Sequence, residues 1–411
     1  MVDPRRHAAL VLAFVTGNLA AGCGSSDGTA DPGGDGALDD SAIGDLGVGT
    51  DTATADGGSD AHADTSSGGD STGTSDTTSG ADTRSGSDTA ATDGDADAAT
   101  TTLPFLAGTN LSGAEFGTRA DVYGTDYTYP TNAEVDYFVG KGLKVFRINF
   151  LWERLQPTLD APLSTVELGR LSSLVDHISA KGAYAIIDPH NYARYSDKIV
   201  GTAGAATGAQ LGAFWKLVAL QFKANSHVIF GLMNEPHDMS TSLWLADANA
   251  AIAEIRKTGA TNLILVPGNF WTGAHSWVGT ASDSNSTVMT GVTDPGKNFA
   301  YEVHQYLDTD SSGTHTACVS GTIGSERLTS FTKWLTDQGA RAFLGEFGGS
   351  SDATCLAAID DMLTYVDAHR AQYLGWTWWS AGPWWGEYMY TIEPTSSGAD
   401  RPQLATLLKH K

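Results

Sequence analysis

Val228-Ile229-Phe230-Gly231-Leu232-Met233-Asn234-Glu235 starts as an apolar run and ends on an amide and a carboxylate. A short apolar run closed by polar residues reads as a buried strand. The same form recurs along the chain. Candidate strands are Leu106–Leu111, Leu143–Phe150, Ala183–His190, Val228–Glu235, Leu263–Gly268, Phe299–Tyr306, Ala342–Glu346 and Tyr373–Trp379. Helical patterns lie between most of them, at Val166–Lys181, Gln210–Asn225, Leu243–Thr258, Glu326–Gln338 and Leu356–Ala371. Gly142, Gly182, Gly259 and Gly339 stand where helices would end, which suits a left-handed C-cap before the next strand. The segment after the fifth strand shows no clear long helix. Strand and helix in alternation define an α/β fold, either a closed (β/α)8 TIM barrel or an open doubly wound sheet.

The polar residues decide between the two. Arg147 lies on the second strand, which leads to Trp152; the third ends at His190-Asn191-Tyr192 and the fourth at Asn234-Glu235-Pro236. The sixth ends at His304-Gln305-Tyr306, the seventh at Glu346 and the eighth at Trp378-Trp379. In a barrel these C-terminal strand ends converge on one face, where active sites sit. About 310 residues, 103–411, carry this pattern and all 11 tryptophans, enough for one barrel domain. Two glutamates on one rim suit glycoside hydrolysis, which needs an acid for the leaving oxygen and a second carboxylate for the sugar carbon. No His-x-x-x-His or comparable spacing points to a metal site. No cofactor is expected.

Six segments in order resemble glycoside hydrolase family 5, and within it the subfamily 5 endoglucanases. They are Arg147-Ile148-Asn149-Phe150, Asp188-Pro189-His190-Asn191-Tyr192, Met233-Asn234-Glu235-Pro236, His304-Gln305-Tyr306, Gly345-Glu346-Phe347-Gly348-Gly349 and the Gly375–Trp385 run. The resemblance implies a retaining double displacement on a β-1,4-glucan. Glu235 takes the acid/base position and Glu346 the nucleophile position. Asn234 would bond the sugar 2-hydroxyl. Arg147 and Tyr306 would bond Glu346 and keep it ionised. His190 and His304 would line the subsite at the cleaved bond, with Trp379 beneath that sugar and Trp384 as a neighbouring platform. Asn110 and Trp277 are further candidates for the cleft wall. Strand alternation puts Trp376 and Trp378 on the face opposite Trp379, outward against helices. Glu153, Glu302 and Glu387 read as structural, and Asp188 as a partner for nearby backbone or histidine. The alternatives are another β-glycanase of the family (mannanase, xylanase, xyloglucanase or licheninase) or a non-catalytic glycan-binding surface lipoprotein.

The N-terminal quarter differs in kind. Residues 24–102 hold 17 Asp, no Glu and a single Lys or Arg, Arg84, and so carry −16 of the chain's net charge of −24. They contain no Phe, Trp or Tyr. Such a segment buries too little apolar surface to offset the entropy of ordering, so a disordered acidic linker is expected. Without aromatics it offers no cellulose-binding surface. Before it, Arg5 and Arg6 precede an apolar stretch, Ala8–Val15, and then Leu19-Ala20-Ala21-Gly22-Cys23. Residues 1–22 thus resemble a bacterial lipoprotein signal, with Cys23 as the lipidated first mature residue. An ordinary cleaved signal is the alternative. An extracellular or cell-surface protein, lipid-anchored to a bacterial membrane, is the expectation. Two cysteines remain, Cys318 and Cys355; export makes one disulfide the expectation, and two separate buried thiols the alternative. No basic stripe suggests nucleic acid, the lipid is the only membrane attachment expected, and a monomer is expected.

Overall fold

Leu106–Ala114 (β1) is buried along its whole length, as a strand covered on both faces must be. Seven further parallel strands complete the sheet: Val145–Phe150 (β2), Tyr184–Pro189 (β3), Val228–Gly231 (β4), Ile264–Pro267 (β5), Phe299–His304 (β6), Ala342–Glu346 (β7) and Tyr373–Ala381 (β8). Each pairs with the next, and β8 pairs with β1, so the sheet closes into a barrel. The structure is a computed structural model that describes residues 103–118 and 120–411. The expected signal segment, Cys23 and the acidic linker lie outside the described residues.

Among the described residues, the helices longer than four residues are Asn132–Lys141 (α1), Thr165–Ala180 (α2), Gly208–Phe222 (α3), Thr241–Lys257 (α4), Ile323–Gln338 (α5), Ala353–Ala368 (α6) and Pro402–Leu407 (α7). Their starts follow from local chemistry. Thr131 with Glu134, and Thr207 with Gln210, form reciprocal caps, each pair satisfying two backbone N–H groups that the helix leaves unpaired. Gly142 and Gly339 end their helices in the left-handed conformation expected of them. Between β5 and β6 the chain forms only short turns: Phe270–Thr272, Ala274–Trp277, Asn285–Val288 and Met289–Gly291. Sequence patterning had left this segment without a long helix. The hairpin Arg194–Tyr195/Lys198–Ile199 and the terminal α7 are additions to that reading.

Strand β4 is shorter than the run Val228–Glu235. Its pairing persists in two bonds, Leu232 N to Leu265 O at 3.0 Å and Asn234 N to Pro189 O at 3.0 Å. At Glu235 the backbone turns to φ 39°, a left-handed conformation that ends the strand and that non-glycine residues adopt at a cost of about 1–3 kcal/mol.

The barrel interior is built in layers. The lowest is an apolar plug of Leu106, Val145, Ile186, Ile229, Leu265, Ala300 and Phe343. Two residues further along the strands, on the same face, come Arg147, Asp188, Gly231, Glu302 and Gly345. A larger apolar core fills the space between sheet and helices and includes Trp376 and Trp378, both fully buried. The outward orientation expected for these two holds: their indole N–H groups donate to His410 O and Tyr390 O, outside the barrel.

Cys318 and Cys355 form a disulfide. It ties the long β6–α5 loop to the first turn of α6. Replacing both cysteines with serine should lower stability by about 2–4 kcal/mol, because the bridge restricts the unfolded chain. Urea unfolding followed by tryptophan fluorescence measures this; an unchanged midpoint would contradict it.

Candidate active site

Arg147 organises the upper barrel. It is fully buried, and its guanidinium meets three carboxylates: Nε lies 2.9 Å from Glu302, Nη2 3.0 Å from Asp188 and Nη1 2.7 Å from Glu346. The same group donates to Asn110 Oδ1 at 3.0 Å and to Asn234 Oδ1 at 3.0 Å. Burial opposes its charge, but Asp188, Glu302, Glu346 and Glu235 outweigh burial and raise its pKa. Asp188 is the counterpart: burial opposes its charge, yet Arg147, His190 and Asn149 hold its carboxyl below the ordinary range.

The two glutamates lie just above this layer. Strand alternation alone would turn Glu346 away from the interior. The β6–β7 pairing slips between Val303 and His304, however, and sets His304 opposite Glu346. Glu346 then accepts from Arg147 on Oε1 and from the Tyr306 hydroxyl on Oε2 at 2.9 Å. The left-handed turn brings Glu235 in from β4. His304 Nδ1 lies 2.7 Å from Glu235 Oε1 and 3.6 Å from Glu346 Oε2. One oxygen of each glutamate and one His304 nitrogen all fall within 4.8 Å of one another.

The environments of these groups differ. Burial, and next the repulsion of Glu346, raise the Glu235 pKa; hydrogen bonding to His304 pulls it back in part. Burial alone would strip a proton from His304, but Glu346, Glu235 and Glu302 outweigh it and push its pKa up to about 10. His190 is raised in the same way by Asp188, 2.9 Å from its Nδ1. Asn234 offers a further asymmetry: Arg147 holds its Oδ1, while its buried Nδ2 has no protein partner.

Rings run outward from the carboxylates. Trp379 stacks on His190, centroids 5.4 Å apart; Tyr192 meets both His190 and His237 edge-on; and Trp271 stacks on His237 at 4.4 Å. The Trp271 side chain remains about half exposed. Trp385 packs edge-on against Trp379, and Trp384 beside it keeps part of its surface open. Flat apolar faces beside hydrogen-bonding groups suit sugar rings, which present C–H faces and hydroxyl edges.

Among the described residues, two clusters place metal-ligating atoms together: Glu235, His304 and Glu346, and Asp308, Asp310 and His315. In the first, Arg147, Tyr306 and His304 already satisfy the carboxylates. In the second, Asp308 accepts from the backbone N–H groups of Gly313, Thr314 and His315, so it folds its own loop.

The family model for cellulases, glycosyl hydrolase family 5, matches residues 98–382. The chain belongs to this family. It is a glycoside hydrolase. Endo-β-1,4-glucanase A of Emericella nidulans is 44% identical over 293 residues, which cover 70% of this chain and 87% of that protein. Among solved structures, XacCel5A in complex with cellopentaose is 45% identical with a TM-score of 0.73, over 75% of this chain and all of that one. The endo-β-1,4-glucanase Xac0029 from Xanthomonas axonopodis pv. citri is 44% identical with a TM-score of 0.73, over 74% and 98% of the two chains.

Within this family 5 enzyme, the structure brings Arg147, His190, Asn234, Glu235, His304, Tyr306, Glu346 and Trp379 together at one barrel mouth. Two candidates for the cleft wall are corrected. Asn110 is fully buried and saturated; its Nδ2 donates to Gly345 O and Trp378 O, and its Oδ1 accepts from Arg147. It braces the site from below. Trp277 is fully buried too, packed on Tyr301, Phe331 and Trp334 behind the sheet. The structural reading of Glu153 and Glu387 fits their partners, Asn191 and Arg401. Glu302 is more central than that reading allowed. Its signal was present in the sequence, two residues before His304 on the same strand face. Trp271 was missed because it lies in an irregular turn where Phe270, Trp271 and Thr272 all have positive φ, which no periodicity marks.

Trp277→Ala should cost about 3–5 kcal/mol of stability and leave KM unchanged in the folded fraction. A raised KM with an unchanged unfolding midpoint would return Trp277 to the cleft.

Proposed function

We propose that this endoglucanase-type glycoside hydrolase cuts internal β-1,4-glucosidic bonds by a retaining double displacement, with Glu346 as nucleophile and Glu235 as acid/base. The spacing of the two carboxylates carries this reading. One oxygen of Glu235 and one of Glu346 lie within 4.8 Å of each other, and so close an approach favours the retaining arrangement, whose carboxyl groups stand roughly 5–5.5 Å apart, over the inverting one at about 6.5–9.5 Å.

The neighbours support the division of labour. Glu346 faces a guanidinium and a tyrosine hydroxyl, which suits a group that attacks as an anion. Burial and the nearby Glu346 raise the Glu235 pKa, which suits the donor to the leaving oxygen. Once Glu346 is bound to the sugar, its charge is gone. Glu235 then loses one of the influences that raise its pKa, gives up its proton more readily, and can take one from the attacking water. The free Nδ2 of Asn234 is the donor for the sugar 2-hydroxyl, fixed in direction by Arg147. Cellopentaose bound to XacCel5A supports a β-1,4-glucan as substrate.

Glu346→Ala should abolish hydrolysis of carboxymethylcellulose. Glu235→Ala should lose about 10²–10⁴-fold on the same polymer yet retain turnover of aryl cellobiosides with acidic leaving groups. Because the Glu235 pKa is raised, the alkaline limb of wild-type kcat/KM should lie above the ordinary glutamic acid value of about 4.3, and Glu235→Ala should remove it. Near-normal activity in Glu346→Ala would overturn the assignment.

We also propose that the enzyme is exported and held at a bacterial membrane through Cys23, with residues 24–102 as tether. Support comes from the sequence alone: the Arg5-Arg6 pair, the apolar stretch after it, and the acidic, aromatic-free segment beyond Cys23. Cys23→Ser should move activity from the membrane fraction to the medium, and unchanged membrane retention would contradict the anchor.

A further inference from the structure

We propose that Glu302 is a positioning residue that holds His304 by its Nε2 edge, so that the Nδ1–H always faces the two catalytic carboxylates. The proposal rests on the assignment of Glu235 and Glu346 as that pair. Glu302 is fully buried on β6, one layer below them. Its Oε1 lies 3.4 Å from His304 Nε2 and 2.9 Å from Arg147 Nε. The fold keeps space for it: a Cβ at Gly345 would come within 2.3 Å of Oε1.

Donor and acceptor chemistry makes the argument. A neutral imidazole has one N–H and one acceptor nitrogen. Around His304, both nitrogens face carboxylates. Glu235, from the end of β4, and Glu346, from β7, meet Nδ1. Glu302, from the same strand β6, meets Nε2, with Arg147 of β2 behind it. The loop after β5 approaches through the backbone of Gly273. With only acceptors on either side, the ring carries both protons, in line with its raised pKa. Were Glu302 uncharged, the ring could hold a single proton on Nε2. Its bare Nδ1 would then accept the proton of Glu235, which the reaction needs for the leaving oxygen. Glu302 thus acts through His304, without touching substrate, and keeps the acid's proton pointed at the bond.

Glu302→Gln is close to isosteric and removes the charge. In this variant kcat on carboxymethylcellulose should fall by about 10-fold or more with KM within about two-fold, the signature of a lost transition-state interaction. Imidazole ¹⁵N NMR should show His304 doubly protonated from pH 5 to 8 in the wild type, and losing a proton within that range in the variant. Glu302→Asp, which keeps the charge, should recover part of kcat. A purely structural role would leave the His304 resonance and the pH profile unmoved. A variant whose profile superimposes on wild type, with His304 still doubly protonated, would overturn the proposal and leave the roles of Glu235 and Glu346 intact. If Glu302→Gln fails to fold, the wild-type resonance decides: a singly protonated His304 at pH 7 overturns it.

Discussion

One guanidinium sits where the interior of the barrel changes from apolar to reactive. Arg147 is wholly enclosed and paired with Asp188, Glu302 and Glu346. Enclosing an ion costs several kcal/mol, and the cost is offset only by good geometry and further hydrogen bonds. That constraint propagates through the fold. Strands β2, β3, β6 and β7 must present one charge each towards the same point, and Gly345 must lack a side chain so that Glu302 fits. Asn110 must be an amide, because its Oδ1 accepts a hydrogen bond from Arg147 while its Nδ2 donates two to strand carbonyls. The apolar plug beneath keeps water from relaxing the charges from below.

The reactive layer inherits this order. Glu346 is fixed from below by Arg147 and from the side by Tyr306. Glu235 arrives on a left-handed turn and meets the shared imidazole of His304. Two carboxyl groups of the same chemistry thus acquire different tasks, one held by a permanent charge and one with its pKa raised by burial and by its neighbour. The rings that lead away from them add apolar surface for sugar faces without adding charge to the balance.

Much of this was legible in the sequence, for a physical reason. Strand alternation puts Trp376 and Trp378 on one face and Thr377 and Trp379 on the other, the resemblance sets Trp379 on the inner one, and the third, fourth, sixth and seventh strands run out into polar residues that the fold sends to one rim. Glycines after helices marked the returns to the sheet. Legibility failed where the backbone leaves regular structure. Trp277 follows β5 in a run of short turns, so no period shows that it packs behind the sheet. Trp271 lies in the same run. The slip between β6 and β7 that turns Glu346 inward is a property of two strands together, and neither one alone records it. Asn110 failed differently: the resemblance offered it for the cleft wall, but only the three-dimensional layer shows that Arg147 and two carbonyls already occupy its amide.

The central claim is that Glu346 attacks the sugar carbon directly, with Glu235, brought close beside it, as the acid/base. The stereochemistry of the first product tests it most directly. Hydrolysis of a soluble cello-oligosaccharide, followed by ¹H NMR within the first minutes, should show the new reducing end appearing as the β anomer and later relaxing towards the α/β equilibrium. An α anomer appearing first would mean single displacement, and would contradict the account.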